Sequence, residues 1–148
     1  MTTESIESES SIETTTHLAP LPRSRVYNIL IGLDALTILL QGLWAGIFLE
    51  YDGKRDAAGS WIDVHARGGE VALVLTIAAT ALAFAKLRAR KDLWLGGVLL
   101  IVLLVLELYI GGLIRDDSKD ILTVVHIPLA MLGMGLVAVL AFRAARQR

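Results

Sequence analysis

The sequence contains no cysteine. This absence excludes disulfide bonds, thiolate metal sites, iron–sulfur clusters and covalently attached c-type heme. Aromatic residues make up only 6% of the chain, and the net charge is −1. No basic surface interleaved with aromatic residues is present, so no nucleic-acid partner is expected.

Apolar residues are abundant instead, at 55% of the chain with a mean hydropathy of +0.62. Soluble domains have roughly 45–50% apolar residues. The excess is concentrated in four runs, at residues 26–49, 62–85, 93–114 and 121–142. About 20 helical residues cross the ~30 Å core of a bilayer, and a spanning segment must satisfy its own backbone hydrogen bonds. Residues 23–148 are therefore predicted to form an all-α, up-down four-helix bundle in a membrane.

Charged residues are segregated along the chain. Residues 1–22 are acidic and rich in Ser and Thr, which is typical of a disordered tail. Basic residues precede the first helix, separate the second from the third and follow the fourth: Arg23, Arg25, Lys86, Arg88, Arg90, Lys91, Arg143, Arg146 and Arg148. The positive-inside rule then predicts that both termini are cytoplasmic. We expect a multi-pass protein of a plasma membrane, here a bacterial inner membrane.

The two helical hairpins resemble each other. In each, a polar residue precedes a glycine by five positions, and a histidine early in the next helix precedes a small residue by four. The residues are Gln41, Gly46, His65 and Gly69 in the first hairpin, and Glu107, Gly112, His126 and Ala130 in the second. A two-fold internal hairpin repeat is predicted, and functional sites of such membrane proteins often lie at the repeat interface.

Two histidines carry the functional hypothesis. His65 and His126 are expected roughly 5–8 Å below the outer ends of their helices, where an ionisable residue indicates function. Two imidazoles at matching depth can bind one ion or one macrocycle from opposite faces. Zinc needs three or four ligands, whereas bis-histidine heme iron needs only two from the protein. A zinc site remains an alternative if Asp63 or Glu70 provides a further ligand.

The favoured cofactor is heme b (iron protoporphyrin IX), with His65 and His126 as the iron ligands. Gly69 and Ala130 are predicted to leave room for the macrocycle, and Arg67 to pair with a propionate. Two further intramembrane carboxyl groups stay unassigned. Glu107 could accept a proton, bind a quinone or pair with Arg67, and the role of Asp34 is open between a proton path and a partner contact.

The segments ELYIGGLIR at residues 107–115 and HIPLA at 126–130 resemble one hairpin of a heme A synthase half, and residues 41–69 resemble the other. That family has two four-helix halves, each with an outer histidine pair and cytoplasmic termini. The resemblance covers about residues 26–142 and one half of the family's length. It implies that His65 and His126 are axial ligands. The family's catalytic Glu, one turn before a ligand histidine, is replaced here by Trp61 or Ile62, so the resemblance implies heme binding without synthase activity.

The resulting function hypothesis is a membrane cytochrome b that transfers electrons or senses redox state or heme. No catalytic residue is assigned. One alternative is a heme-free accessory subunit of a respiratory or transport complex. Another is a small proton-coupled exporter, in which Glu107 or Asp34 would be essential and the histidine pair dispensable. The expected partners are membrane lipid and either a larger respiratory complex or a second copy of the chain.

Overall fold

The computed structural model describes residues 23–51 and 55–146, apart from the side chains of residues 55–58. The predicted tail at residues 1–22 lies outside these ranges. The regular elements within them are helical: α1 (Arg25–Leu49), α2 (Arg55–Lys86), α3 (Lys91–Asp117), a short 3₁₀ turn (Asp120–Leu122) and α4 (Thr123–Ala145). All four α-helices are long and apolar enough to cross a membrane. This confirms the predicted all-helical architecture of four membrane-length helices and indicates a multi-pass membrane protein.

The helices extend beyond the apolar runs that predicted them. α2 begins at Arg55, well before residue 62, and α3 continues to Asp117. Hydropathy marks only the part of a helix that hydrocarbon can surround, whereas backbone hydrogen bonding continues into flanking polar residues. The ends have local causes. Ser24 caps α1, because its hydroxyl accepts a hydrogen bond from the backbone N–H of Tyr27 at 3.2 Å. Ser118, in the left-handed region at φ 54°, ends α3.

Each helix packs against two others around the bundle, in the pairs α1–α2, α2–α3, α3–α4 and α1–α4. Over the described residues, the backbones of the diagonal pairs, α1–α3 and α2–α4, do not approach each other. The short connections make neighbouring helices antiparallel. The start of α1, the end of α4 and the α2–α3 connection therefore share one end of the bundle, the proximal end. The α1–α2 and α3–α4 connections form the distal end.

Large apolar side chains cover the outside of all four helices. Leu39, Val74, Val102 and Met131 are examples, each more than half exposed. A helix that is apolar on every face belongs in lipid, because no single stripe distinguishes a core face from a water face. The exposed apolar surface is therefore the part of the bundle that hydrocarbon would cover.

The interior is built around small residues of α2. Ala72, Ala79 and Ala83 are completely or almost completely buried. Gly97 of α3 lies directly against the hydroxyl of Thr80, and a Cβ atom at Gly97 would collide with it. Small residues let membrane helices approach closely and gain van der Waals contact. The packing of α2 against its neighbours therefore depends on backbone proximity.

A buried arginine links the α2–α3 connection to α4 at the proximal end of the bundle. Arg90, in the α2–α3 connection, has a side chain that is 5% exposed. Its Nε and Nη2 donate to the two carboxylate oxygens of Asp92, each at 2.9 Å, and Nη2 also donates to the backbone carbonyl of Arg143 at 3.3 Å. The guanidinium therefore joins this connection to the last turns of α4.

Replacing this arginine is expected to weaken the bundle. Arg90→Ala leaves Asp92 half-buried without its bidentate partner and should lower the free energy of unfolding by about 2–3 kcal/mol. Unfolding of the detergent-solubilised protein by increasing mole fractions of SDS measures the change. Arg88→Ala is the matched control, because Arg88 is exposed in the same connection and donates to the carbonyl of Phe84, four residues earlier in the last turns of α2. Equal losses of unfolding free energy in the two variants would contradict a role of Arg90 in stabilising the proximal end.

Candidate functional site

The two histidines of the described chain meet inside the distal half of the bundle. His65 extends from α2 and His126 from α4, and their ring centroids lie 6.3 Å apart with 70° between the ring planes. The two helices are a diagonal pair whose backbones stay apart. The rings therefore meet across the middle of the bundle, and the predicted juxtaposition of the two imidazoles is observed. The internal repeat that suggested their equivalence stays a prediction.

An oxygen atom contacts Nδ1 of each ring. The Nδ1–H of His65 donates to the backbone carbonyl of Gln41 at 3.2 Å, since a carbonyl can only accept. Nδ1 of His126 lies 2.8 Å from Oε2 of Glu107, an ion-pairing distance. The angles of this contact are not those of a hydrogen bond, and Nδ1 of His126 has no hydrogen-bond partner among the described residues. An acceptor oxygen nevertheless lies beside Nδ1 of each ring, which favours the tautomer in which Nε2 keeps its lone pair.

Glu107 does not pair with Arg67, which was one of the partners considered from the sequence. Arg67, which was considered as its partner, instead forms a 2.8 Å ion pair with Glu70, three residues along α2, and its side chain is 79% exposed. The side chain of Glu107 is only 11% exposed and faces the bundle interior. Its Oε1 is buried without a hydrogen-bond partner among the described residues. The carboxyl group of Glu107 therefore lies with the histidine pair inside the bundle, whereas the side chain of Arg67 lies at the surface.

The glycines near the site are not equivalent. A Cβ atom at Gly111 would lie 3.4 Å from Cε1 of His126, so this glycine directly borders an imidazole. Gly69 lies against the side chain of Leu108, and Gly68 lies against Trp44 and Gln41, where a Cβ atom would collide. Gly69 thus makes room for an apolar side chain of α3 next to Glu107. Ala130 is exposed on α4.

Sequence reasoning missed an aromatic neighbour of the site. The ring of Phe48 lies edge-on to His65, with centroids 5.5 Å apart. Phe48 follows Gln41 by seven residues, two helical turns, so the helical period alone places both on the same face of α1. The residues around the imidazole pair thus include apolar side chains from α1 and α3 together with the oxygen atoms of Gln41 and Glu107.

Several charged side chains at the distal surface form ion pairs with each other. Besides the Arg67–Glu70 pair, Arg115 donates to Asp116 at 2.7 Å and lies within electrostatic range of Asp63 and Glu70. No group of three or more His, Asp or Glu side chains able to hold a metal ion occurs within the described ranges. Asp63 and Glu70 therefore do not join the histidines in a ligand set, which removes the basis for a zinc site. The arrangement offers two imidazole nitrogens and no third protein ligand.

The contact between Glu107 and His126 predicts a tautomer that nitrogen NMR can measure. In protein labelled with ¹⁵N-histidine and purified without added metal or heme, the signals of both buried rings should be those of the Nδ1–H tautomer. Glu107→Leu removes the oxygen next to His126 and should shift only that ring toward the Nε2–H tautomer.

Gln41→Leu is the control for this experiment. His65 contacts the backbone carbonyl of residue 41, so the substitution should leave its tautomer unchanged. An unchanged His126 signal in Glu107→Leu would contradict the proposed role of the carboxylate.

Comparison with known proteins adds no relative. No protein-family model matches the chain, and neither curated proteins nor solved structures gave a match. No match therefore links the chain to heme A synthases, and that resemblance stays a hypothesis from short sequence segments. The case for a function depends on the geometry of the imidazole pair.

Proposed function

We propose that this protein is a membrane-embedded b-type heme protein in which His65 and His126 are the axial ligands of one iron. The observation that supports this most is the imidazole pair itself: two rings on diagonal helices, 6.3 Å apart, each with an oxygen at Nδ1. A histidine that binds a metal typically uses its other ring nitrogen for such a contact.

The spacing of the rings suits one metal ion between them. An imidazole nitrogen binds a first-row metal at about 2 Å, and the nitrogen lies ~1.2 Å from the ring centre, so ligands on opposite sides of an ion have centres about 6 Å apart. The observed 6.3 Å agrees with this value. A porphyrin supplies four nitrogens of its own, so two protein ligands complete six-coordinate iron.

The surroundings favour a flat apolar cofactor over a bare ion. The imidazoles come from helices whose backbones do not touch, and Trp44, Phe48 and Leu108 provide apolar surface near them. Cofactor pockets are mostly apolar with a few fixed polar groups. Gly111 leaves α3 without a side chain directly beside the imidazole of His126, whereas the space at Gly69 of α2 is taken by Leu108. In the proposal, Arg67 and Arg115 at the distal surface exchange their present carboxylate partners for the propionates.

Bound heme would supply one-electron chemistry, which favours electron transfer or sensing of redox state or heme. The protein's contribution is to fix the ligands and to tune the iron through Glu107. A carboxylate at Nδ1 makes the imidazole of His126 a stronger donor and stabilises the oxidised, more positive iron. Synthase activity is not part of the proposal, because the resemblance covers one half of that family and lacks its catalytic carboxylate.

The membrane placement and partners are also proposed. The basic residues at the proximal end favour a cytoplasmic location for both termini, in a bacterial plasma membrane. The heme would then lie near the outer leaflet, where an electron partner in a larger respiratory complex or a second copy of the chain could reach it. The equivalent positions of Gln41 and Glu107 relative to the two histidines support a duplicated hairpin.

Absorption spectroscopy of the protein purified from heme-replete cells tests heme binding. We expect a Soret band that shifts and sharpens on dithionite reduction, as for low-spin iron with two imidazole ligands. His65→Ala and His126→Ala should each lose this spectrum. His17→Ala is the matched control, because it removes the third histidine of the chain and should leave the spectrum unchanged.

Two results would contradict the proposal. A wild-type protein that stays colourless after incubation with hemin would do so. So would a low-spin spectrum that survives both alanine substitutions. A colourless protein would instead favour the heme-free accessory subunit.

Glu107→Gln tests the tuning of the iron. The neutral amide withdraws negative charge from His126, so the midpoint potential should rise by about 60 mV, equivalent to a factor of ten in the redox equilibrium. Potentiometric titration of the Soret band measures the shift. Gln41→Leu preserves the backbone contact to His65 and should change the potential little. A potential that is the same in Glu107→Gln and wild type would argue against this role.

A further inference from the structure

A second polar cluster lies in the proximal half of the bundle, away from the histidines. Asp34 of α1 is 0% exposed. The hydroxyl of Thr76, on α2, donates to its Oδ2 at 2.6 Å. Oδ1 of Asp34 is buried and has no hydrogen-bond partner among the described residues, and the same is true of the hydroxyl of Thr80, one turn further along α2. The hydroxyl of Thr80 lies against Gly97 of α3, so the unpartnered atom of the Asp34–Thr76 contact is Oδ1 of Asp34.

Within the described ranges, no Lys, Arg or His side chain forms an ion pair with Asp34, and its carboxyl group is hydrogen-bonded to Thr76. α2 contributes the two threonines, and the nearby core residues of α3 and α4, such as Leu100 and Val137, are apolar. An ionised carboxylate in such surroundings is costly unless it is paired, and binding of a proton removes that cost. The environment therefore favours the neutral acid.

A buried phenol lies on α1 between the level of Asp34 and the proximal end. Tyr27, two turns before Asp34, is 1% exposed. Its phenol lies within electrostatic range of Asp34, Arg90 and Asp92. The side chain of Asp92 is 30% exposed, so it contacts water. A phenol both donates and accepts hydrogen bonds, which suits it to relay a proton.

We propose that Asp34 is an internal proton-binding site that exchanges with water at the proximal end through the hydroxyl of Tyr27. Proton binding forms an O–H bond at Oδ1 and neutralises the carboxylate; the phenol of Tyr27 gives up its proton toward Asp34 and takes another from hydronium in the water near Asp92, which is left as water. Thr76 donates to Oδ2, so the new O–H bond forms at Oδ1, the oxygen that has no partner among the described residues. The titratable and charged groups that face this site are Tyr27 on α1 and, beyond it, Arg90 and Asp92. The proposal does not depend on heme binding.

Infrared spectroscopy of the full chain in lipid vesicles reads the protonation state directly. A protonated carboxyl group has a carbonyl stretch separate from that of a carboxylate. We expect wild-type protein to show this acid band within roughly pH 5–8, the range in which exposed carboxyl groups are ionised. The band should be absent in Asp34→Asn and retained in Asp63→Asn, which removes an exposed carboxyl group of α2.

Two further variants test the local contacts and the route. Thr76→Val should move the frequency of the acid band in protein labelled with ¹³C-aspartate, because it removes the hydroxyl at Oδ2. This variant keeps the test available if Asp34→Asn does not fold. Tyr27→Phe should retain the band but slow its hydrogen–deuterium exchange about tenfold or more.

The proton-binding site and the route through Tyr27 are contradicted by different results. Carboxylate bands alone across this pH range, or an acid band that persists in Asp34→Asn, would overturn the proton-binding site. Exchange in Tyr27→Phe as fast as in wild type would overturn the route. A band that disappears in Asp34→Asn and exchanges slowly in Tyr27→Phe supports both parts.

Discussion

The absence of water from the hydrocarbon core is the constraint on which this structure depends. Every polar side chain on these helices must find its partner inside the bundle or reach an end of it. The described chain does so in three layers. Arg90 and Asp92 close the proximal end, Asp34 and Thr76 meet in the next layer, and the two histidines meet near the distal end. The side chains between these layers are small or apolar.

The three layers differ in how completely their polar groups are hydrogen-bonded. At the proximal end a guanidinium satisfies a carboxylate and a backbone carbonyl together, which is a structural arrangement. In the two inner layers some buried polar atoms have no hydrogen-bond partner among the described residues: Oδ1 of Asp34, the hydroxyl of Thr80, Oε1 of Glu107 and Nδ1 of His126. Buried polar atoms are usually satisfied, so each exception needs an explanation. Binding of a proton in one layer and of a metal cofactor in the other would provide it.

Hydropathy was sufficient to predict the helices, because run length alone decides whether a segment crosses a bilayer. The depth of a residue followed from the rise per residue, so His65 and His126 could be expected at one level.

What the sequence could not supply was the rotation of each helix about its axis. These helices are apolar on nearly every face, so no stripe marks the inner side. The partner of Glu107 therefore stayed open between Arg67 and other groups, and Asp34 had no assigned contact. The glycines were informative about close packing but not about which side chain fills the space, as Leu108 does beside Gly69.

The close approach of α1 and α2 at Gly68 has a mechanical consequence. Trp44 and Gln41 lie directly over this glycine, and the carbonyl of Gln41 also accepts the hydrogen bond from His65. Gly68 contributes no side chain of its own there, so the Trp44 and Gln41 side chains pack directly on the backbone of α2, and a shift of α1 against α2 at this point also moves the carbonyl that holds His65. The opposite face of α1 is turned to lipid, with Leu39 and Leu43 exposed. Lateral pressure on α1, from bilayer thickness or a neighbouring protein, would therefore be transmitted to the orientation of one ring of the pair.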